Sequence, residues 1–215
     1  MATPRNDVYI YATWLAKLLA GTNSCEWAAW FKAHYANYER VPSGFDLAAW
    51  RRQHHALLLQ VQRELFAYGG QTLLEEQCSF QLRGRSGIVL AGKPDLIHIN
   101  GTTGVICDVK TGQPRESDRL QVMLYMWALP LARREFRNIV FEGMVVYRDQ
   151  HVSIPAQAID QQFGERLRTL IGRVGGDSAP VARPSRAECL FCDIAPTECT
   201  ARFGAADEDD FLADF

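Results

Sequence analysis

Two acids and one lysine between residues 95 and 110 have the types and spacing of a cation-dependent site. Asp108 and Lys110 lie two positions apart in the apolar segment Val-Ile-Cys-Asp-Val-Lys. Strand side chains alternate between faces, so this spacing places both charges on one face. Charges inside an apolar strand are costly unless they are paired or hold a metal. With Asp95 nearby, two carboxylates would suit Mg2+ or Mn2+, and the lysine could stabilise charge on an attacked phosphate.

A hairpin and a helix are the elements that would position these groups. The dipeptide Asn100-Gly101 predicts a tight turn that folds the strand at 93–99 against the strand at 105–110. The two carboxylates would then be neighbours. An ordinary strand pair with a surface salt bridge is the alternative interpretation.

The next segment, residues 116–131, is predicted to be a helix. Gln121 and Tyr125 are four positions apart in it and therefore share one face. A hairpin with paired acids, a lysine and this glutamine-tyrosine helix together favour phosphodiester hydrolysis over the surface salt bridge.

These residues resemble the PD-(D/E)xK nuclease superfamily, specifically its RecB-like branch. The matching residues are Pro94, Asp95, Asp108, Val109, Lys110, Gln121 and Tyr125. The resemblance implies that the metal is bound by Asp95, Asp108 and the carbonyl of Val109. Lys110 would lie beside the attacking water, and the two helix residues would brace it or contact the DNA backbone.

A histidine on an earlier helix is a further candidate ligand. A helix over 45–68, capped by Ser43, would carry an apolar stripe that includes His54, with His55 beside it. An inward histidine is more often a core residue than a ligand. The resemblance implies that one of the two completes the metal shell, with His54 preferred, and imidazole would favour Mn2+.

The remaining pattern predicts an alternation of helices and strands. Further helices are predicted at 7–20, 24–35 and 157–174, and further strands at 72–82, 87–91, 138–147 and 151–154. Glu75 and Glu76 fall on the first of these strands. They are candidates for outer acids of the metal site, or ordinary solvated residues.

Cysteine spacing indicates a second site. The chain has six cysteines and no secretion signal, which argues against a disulfide framework. Cys78 and Cys107 fall in predicted strands and should be buried. Cys189, Cys192 and Cys199 form a C-x2-C-x6-C pattern that suits an iron-sulfur cluster or zinc.

A fourth ligand for this cysteine site would be Cys25. One cysteine before the nuclease core and three after it resembles the iron-sulfur nucleases of the RecB-like branch, above all the CRISPR-associated RecB-like exonuclease family. That resemblance implies a 4Fe-4S cluster that joins the ends of the chain. Zinc and other cluster types remain the alternatives.

Charge and hydropathy set the broad class of protein. No apolar run approaches the length of a membrane span, and no signal peptide is visible, so a cytoplasmic location without membrane contact is expected. The net charge is −2, but residues 204–215 hold five acids and no base. This tail is predicted to be disordered, and without it the chain has 23 basic and 20 acidic residues, enough for a modest basic groove.

The predicted fold class is α/β (α+β). It comprises a restriction-endonuclease-like core with a central mixed sheet flanked by helices, plus a helical iron-sulfur subdomain built from both termini. The predicted divisions are a helical region with one cluster cysteine at 1–70, the nuclease core at 71–174, the cysteine segment at 175–203 and the acidic tail at 204–215.

The predicted function is a metal-dependent DNA exonuclease that acts on single strands or frayed ends. The resemblance implies DNA processing for CRISPR spacer acquisition, with integrase proteins as partners. The alternatives are a repair or phage nuclease outside CRISPR, a non-catalytic DNA-binding or assembly subunit, and a restriction-type endonuclease.

Overall fold

The computed structural model describes residues 2–203. The acidic tail at 204–215, predicted to be disordered, lies outside this range. None of the helices in the described range combines the length and apolarity needed to cross a membrane.

Ten strands and six α-helices form within residues 2–203. In chain order they are β1 (Thr3–Pro4), β2 (Tyr9–Tyr11), α1 (Ala12–Leu19), α2 (Glu26–His34), β3 (Tyr35–Ala36), α3 (Leu47–Phe66), β4 (Gln71–Leu74), β5 (Phe80–Arg83), β6 (Val89–Gly92), β7 (Leu96–Asn100), β8 (Thr103–Val109), α4 (Glu116–Ala132), β9 (Val140–Val146), β10 (His151–Ile154), α5 (Gln161–Gly175) and α6 (Arg186–Phe191).

The main sheet has five strands in the order β10-β9-β8-β7-β4. Its central strand β8 pairs antiparallel with β7 and parallel with β9, so the sheet is mixed. A second sheet has the order β2-β6-β5, and β1 pairs with β3. This architecture confirms the predicted α/β (α+β) class, and its mixed sheet flanked by helices is consistent with a restriction-endonuclease-like core.

The hairpin between β7 and β8 brings the two candidate acids together. Gly101 has a φ of +62°, a left-handed conformation that glycine adopts without strain. The antiparallel register places Leu96 opposite Cys107. Asp95, one residue before Leu96, therefore comes opposite Asp108, one residue after Cys107.

The two faces of β8 pack against different helices. Ile106 is fully buried in the large core that contains α4, whereas Cys107 and Val109 pack with Leu58 and Val61 of α3. Both faces of β8 are thus buried, and the side chains alternate between them as expected of a strand. Asp108 shares its face with Ile106 and is therefore directed towards α4.

Helix α4 is buried on nearly all sides because it lies between the two sheets. The large core includes Leu120, Val122, Met123, Leu124 and Ala128 from this helix. A helix that is apolar all round is typical of a central position in a domain. The polar residues Gln121 and Tyr125 on this buried helix consequently need partners inside the protein.

Several predicted elements differ from the structure, among them the helix predicted at 157–174, which starts at Gln161 after a 3-10 turn at Ala156–Ala158. The segment predicted as a helix from residue 7 begins with strand β2, because Ile10 is fully buried against β6, and the helix starts at Ala12. The single strand predicted at 72–82 is wrong. A 3-10 turn at Glu75–Cys78 separates β4 from β5, and the two strands join different sheets. 

Helix α3 starts two residues later than predicted and has a different cap. Asp46, rather than Ser43, accepts a hydrogen bond from the backbone N of Ala49 at 2.8 Å. The first part of its predicted apolar stripe is not buried, since Leu47 is 46% exposed and Trp50 is 36% exposed.

Close packing of α4 on β9 makes Gly143 a test of this arrangement. An added Cβ would lie 2.5 Å from Val122 Cγ1 and 2.8 Å from Met126 Sδ, which is too close. We expect Gly143→Ala to lower the free energy of unfolding by about 1–3 kcal/mol through overpacking. Gly172→Ala is the control, because its Cβ would meet nothing within 4 Å on the exposed face of α5.

The control substitution should raise the free energy of unfolding by about 0.5–1 kcal/mol, since alanine restricts the unfolded chain and favours helix. Urea denaturation of both variants measures the difference. Equal stabilities for the two variants would contradict the packing of α4 on β9.

Candidate active site

A cavity of about 600 Å³ opens at the end of β8 and contains the predicted catalytic side chains. Its wall includes His54, Asp95, Asp108, Val109, Lys110, Gln121 and Tyr125. Asp95 enters it from just before β7, and Asp108 and Lys110 from the end of β8. Helix α4 supplies the glutamine and the tyrosine, and α3 supplies the histidine, so four elements meet here.

Asp95 is held by the neighbouring strand and by α3. Its Oδ2 accepts a hydrogen bond from the backbone N of Val109 at 2.7 Å and lies 3.2 Å from His54 Nε2. The hydrogen bond to Asp95 raises the pKa of His54, although burial opposes this. The histidine is therefore tied to the first carboxylate of the pair.

Asp108 is the most deeply buried charge in the cavity, with 2% of its surface exposed. Its Oδ2 lies 2.5 Å from Lys110 Nζ. Burial raises the pKa of Asp108, and the lysine opposes that rise. Burial would lower the pKa of Lys110, but the carboxylate outweighs it, so the net shift is upward and the lysine stays charged.

Gln121 forms hydrogen bonds with three groups of the cavity, namely Asp108, Lys110 and Tyr125. Its Nε2 donates to Asp108 Oδ1 at 3.2 Å and to Tyr125 OH at 2.7 Å, while its Oε1 accepts from Lys110 Nζ at 3.3 Å. The ammonium group can only donate, which requires the amide oxygen to face it. Gln121 thus fixes the carboxylate and the lysine relative to each other.

Tyr125 is the buried hydrogen-bond partner of Gln121 on the same helix. It is 1% exposed, and burial raises the pKa of its hydroxyl well above the usual value, so the group stays protonated. The hydroxyl is 3.5 Å from the carbonyl oxygen of Lys93, to which it can donate. Gln121 thus contacts Lys110 directly, whereas Tyr125 contacts Gln121 and not the lysine.

The donor set at this cavity fits a hard divalent cation. Asp108 Oδ2 is buried and makes no hydrogen bond of ordinary angle, although the lysine is close. Asp95, Asp108 and the carbonyl of Val109 supply oxygen ligands of the kind that Mg2+ and Mn2+ prefer. A cation here would compete with the Lys110 ammonium and the His54 proton for these oxygens.

The side chains alone do not form a complete metal cage. Within residues 2–203, no group of three or more His, Cys, Asp and Glu side chains is arranged to hold a metal ion. Among the carboxylates of residues 2–203, Asp95 and Asp108 reach this cavity together with Asp118, which accepts instead from the hydroxyl of Tyr147 at 3.0 Å. A bound cation would therefore need the Val109 carbonyl, water or substrate oxygens as additional ligands.

Three of the other candidates lie elsewhere. His55 is exposed and does not line the cavity, so His54 is the histidine that the structure brings to the site. Glu75 and Glu76 are exposed on the 3-10 turn, and Glu76 pairs with Lys93 at 2.8 Å. The two glutamates are thus not outer acids of this cavity.

Sequence reasoning missed several residues that line the cavity. They are Tyr11, Phe45, Trp50, Arg115 and Asp118. Asp118 lies one helical turn before Gln121, so helical spacing could have found it. The aromatic residues gave no signal, because in an apolar stripe an exposed aromatic looks the same as a core residue.

The four candidate cluster cysteines surround a second cavity of about 520 Å³. Cys25 and Cys189 are 7% and 6% exposed, and Cys192 and Cys199 are half-buried. Burial raises the pKa of both the Cys25 and Cys199 thiols. Cys78 and Cys107, as expected, are fully buried in the core.

Glu188 ties the two termini together beside this cavity. Its carboxylate accepts hydrogen bonds from the backbone N of Ser24 at 2.5 Å, of Cys25 at 3.0 Å and of Ser185 at 2.9 Å. Burial acts against the charge, yet these bonds lower the pKa of Glu188 to about 2. Cysteines from both ends of the chain are thereby held near one another.

The arrangement of the four thiols bears on which metal they suit. A tetrahedral zinc site with bonds of about 2.3 Å needs sulfur atoms roughly 4 Å apart. No such group of three or more ligands is present in the described part of the chain. The same finding applies to a 4Fe-4S cluster, whose cysteine ligands are likewise not arranged to hold a metal within residues 2–203.

Comparisons with known proteins bear on the fold and the family. Among curated proteins none matches this chain. A similar solved structure is the crystal structure of SSO0001, which is 18% identical, with a TM-score of 0.47 and coverage of 94% of this chain and 90% of that one. The profile of the PD-(D/E)XK nuclease superfamily matches residues 13–197, which include the candidate catalytic residues and three of the four candidate cluster cysteines. The chain therefore belongs to the PD-(D/E)XK nuclease superfamily.

Proposed function

We propose that this protein is a metal-dependent DNA exonuclease that acts on single strands or frayed ends. Membership of the superfamily implies a metal-dependent nuclease. The observation that carries the chemistry is the meeting of Asp95, Asp108 and Lys110 in one cavity, with the lysine braced by Gln121. A site kept only for binding would not need a lysine held against a buried carboxylate.

Each residue has a defined role in the proposed reaction. Asp95, Asp108 and the carbonyl of Val109 would hold Mg2+ or Mn2+, with His54 next to Asp95. A bound divalent ion at such a site polarises the phosphate and lowers the pKa of a coordinated water. Lys110 would donate hydrogen bonds to the developing negative charge on the phosphate.

Gln121 and Tyr125 act in this proposal as positioning residues. Gln121 Oε1 accepts a hydrogen bond from the Lys110 ammonium at 3.3 Å and would limit its movement when it turns towards a phosphate. Its amide Nε2 keeps Asp108 Oδ1 in place, and a cation at Oδ2 would displace the Lys110 ammonium from that oxygen. The amide is held in one orientation, because the Lys110 ammonium can only donate and the Asp108 carboxylate can only accept, while the Tyr125 hydroxyl takes the second amide hydrogen.

The biological setting is proposed from the cysteine arrangement. Cys25, Cys189, Cys192 and Cys199 would hold a structural 4Fe-4S cluster that joins residues 175–203 to the N-terminal helices. A cytoplasmic location would keep these thiols reduced. The resemblance of this layout to the CRISPR-associated RecB-like exonucleases supports a role in spacer acquisition with integrase partners, with a repair or phage nuclease as the alternative.

The cluster would also stabilise the catalytic cavity. Thr13 of α1 and Arg115 before α4 line both the catalytic cavity and the cysteine cavity. Loss of the cluster would release the end of the chain next to α1. Reduced order of α1 and of the segment before α4 would follow.

Substitution of the catalytic groups tests the nuclease assignment. We expect Asp108→Asn and Lys110→Ala each to lower cleavage of an end-labelled single strand by at least about 100-fold. His55→Ala is the matched control, since this exposed residue neighbours His54 without reaching the cavity. Circular dichroism and thermal unfolding establish that the variants are folded.

A folded Asp108→Asn variant with wild-type cleavage would refute this active site. A circular single strand separates the modes of cleavage, because it has no ends. We expect it to remain uncut, and its cleavage by the wild type would make the protein an endonuclease.

Metal analysis tests the cluster assignment. Anaerobically purified protein should be brown, with about four iron atoms per chain. Cys189→Ala combined with Cys192→Ala should remove most of the iron, because half of the ligands are lost. Cys78→Ala is the control, since that thiol lies in the core away from the cavity, and it should keep the iron. Colourless protein with one equivalent of zinc would exclude the cluster.

A further inference from the structure

Three aromatic side chains are exposed at the opening of the catalytic cavity. Tyr11 is 44% exposed, Phe45 is 61% exposed and Trp50 is 36% exposed. None of the three belongs to a hydrophobic cluster of the described residues. Exposed aromatic groups that are concentrated at one opening indicate a binding surface, because soluble proteins rarely expose a contiguous apolar patch that has no function.

Two different elements supply these rings, which we name the aromatic rim. Tyr11 ends β2 on one wall of the cavity, whereas Phe45 and Trp50 lie before and within the first turns of α3 on another. The Phe45 and Trp50 ring centroids are 6.4 Å apart. The rings thus flank the opening instead of packing into one cluster.

The aromatic rim is close to the catalytic groups. The Trp50 and His54 ring centroids are 4.9 Å apart, and His54 Nε2 lies 3.2 Å from Asp95 Oδ2. One side chain therefore separates the rim from the first carboxylate of the site. A molecule held by the rim would be adjacent to the position where a phosphate is cut.

The charged residues of the same cavity indicate what kind of molecule the aromatic rim binds. Lys93, Lys110 and Arg115 line it together with the aromatic rim. Arg115 is exposed and forms no ion pair with any residue between 2 and 203. Flat apolar rings beside cationic groups fit a polyanion that also presents flat faces, which is a nucleic-acid strand with unpaired bases.

A double helix would not complement the aromatic rim. Its bases are stacked on one another and present only their edges in the grooves, so an aromatic side chain cannot stack on their faces. Unpaired nucleotides at an end or in a single strand have free faces. Base-aromatic stacking also tolerates any sequence, as a non-specific nuclease requires.

We propose that Tyr11, Phe45 and Trp50 stack on unpaired bases next to the cleaved phosphate and so make single-stranded ends the preferred substrate. This inference rests on the proposed nuclease function and adds the residues that select its substrate. The rim holds the bases, and Arg115 holds a phosphate, since Lys93 is paired with Glu76 and Lys110 with Asp108. The strand is thereby oriented with its backbone towards Asp95 and Asp108.

Binding without cleavage is the first test. Fluorescence anisotropy of a labelled single-stranded oligonucleotide is measured with metal-free protein. We expect Phe45→Ala and Trp50→Ala each to weaken binding about 5- to 100-fold, the loss that follows from one stacked base. Binding of a blunt duplex of equal length should change little. Phe66→Ala is the control, since this residue of α3 is 75% exposed and does not line the cavity.

A strand that lacks bases at its terminal positions separates stacking from a structural effect. Wild-type protein should bind this abasic strand less tightly than the normal strand, and Trp50→Ala should show a smaller difference between the two strands, because only Tyr11 and Phe45 still stack. Trp50→Tyr should restore the difference, because tyrosine also stacks. A variant that merely displaced His54 would still distinguish the two strands to the wild-type extent.

Two results would overturn the proposal. One is wild-type affinity of Phe45→Ala and Trp50→Ala for single strands, and the other is an undiminished preference of Trp50→Ala for the normal strand over the abasic one. Because binding is measured without cleavage, the outcome is independent of the nuclease assay. If wild-type protein cuts DNA while Phe45→Ala and Trp50→Ala bind single strands with wild-type affinity, the proposed role of the aromatic rim is refuted and the nuclease function is not.

Discussion

The buried carboxylate of Asp108 places the strongest constraint on this structure. Removing a charge from water costs several kcal/mol unless the protein supplies compensating groups. Here Lys110 supplies the opposite charge and Gln121 supplies a hydrogen bond. Both groups must be present at the end of β8, and α4 must be packed closely enough to bring the amide to them.

This requirement explains the apolar character of α4. The helix is enclosed between the two sheets, and the close approach of β9 at Gly143 depends on the absence of a side chain there. Two of the polar residues on α4 that reach the cavity, Gln121 and Tyr125, satisfy each other and the catalytic pair. The close packing of α4 on β9 at Gly143 thus holds Gln121 and Tyr125 in position for their hydrogen bonds.

Much of the catalytic site could be predicted because its geometry follows from local repeats. Alternation along β8 places Asp108 and Lys110 on one face, the turn at Gly101 sets the register, and helical spacing pairs Gln121 with Tyr125. Features that depend on distant contacts could not be predicted in this way. The choice of His54 over His55 depends on how α3 rotates over the sheet, and the 3-10 turn at Glu75–Cys78 depends on which sheet each flanking strand joins.

The central claim is that Asp95 and Asp108 converge on a divalent cation, and calorimetric titration of metal-free protein with Mn2+ tests it most directly. The account predicts saturable binding by the wild type and His55→Ala. It predicts binding at least about tenfold weaker for Asp108→Asn, because an anionic ligand is lost. Unchanged Mn2+ affinity of Asp108→Asn would contradict the account, since the cation would then be bound elsewhere.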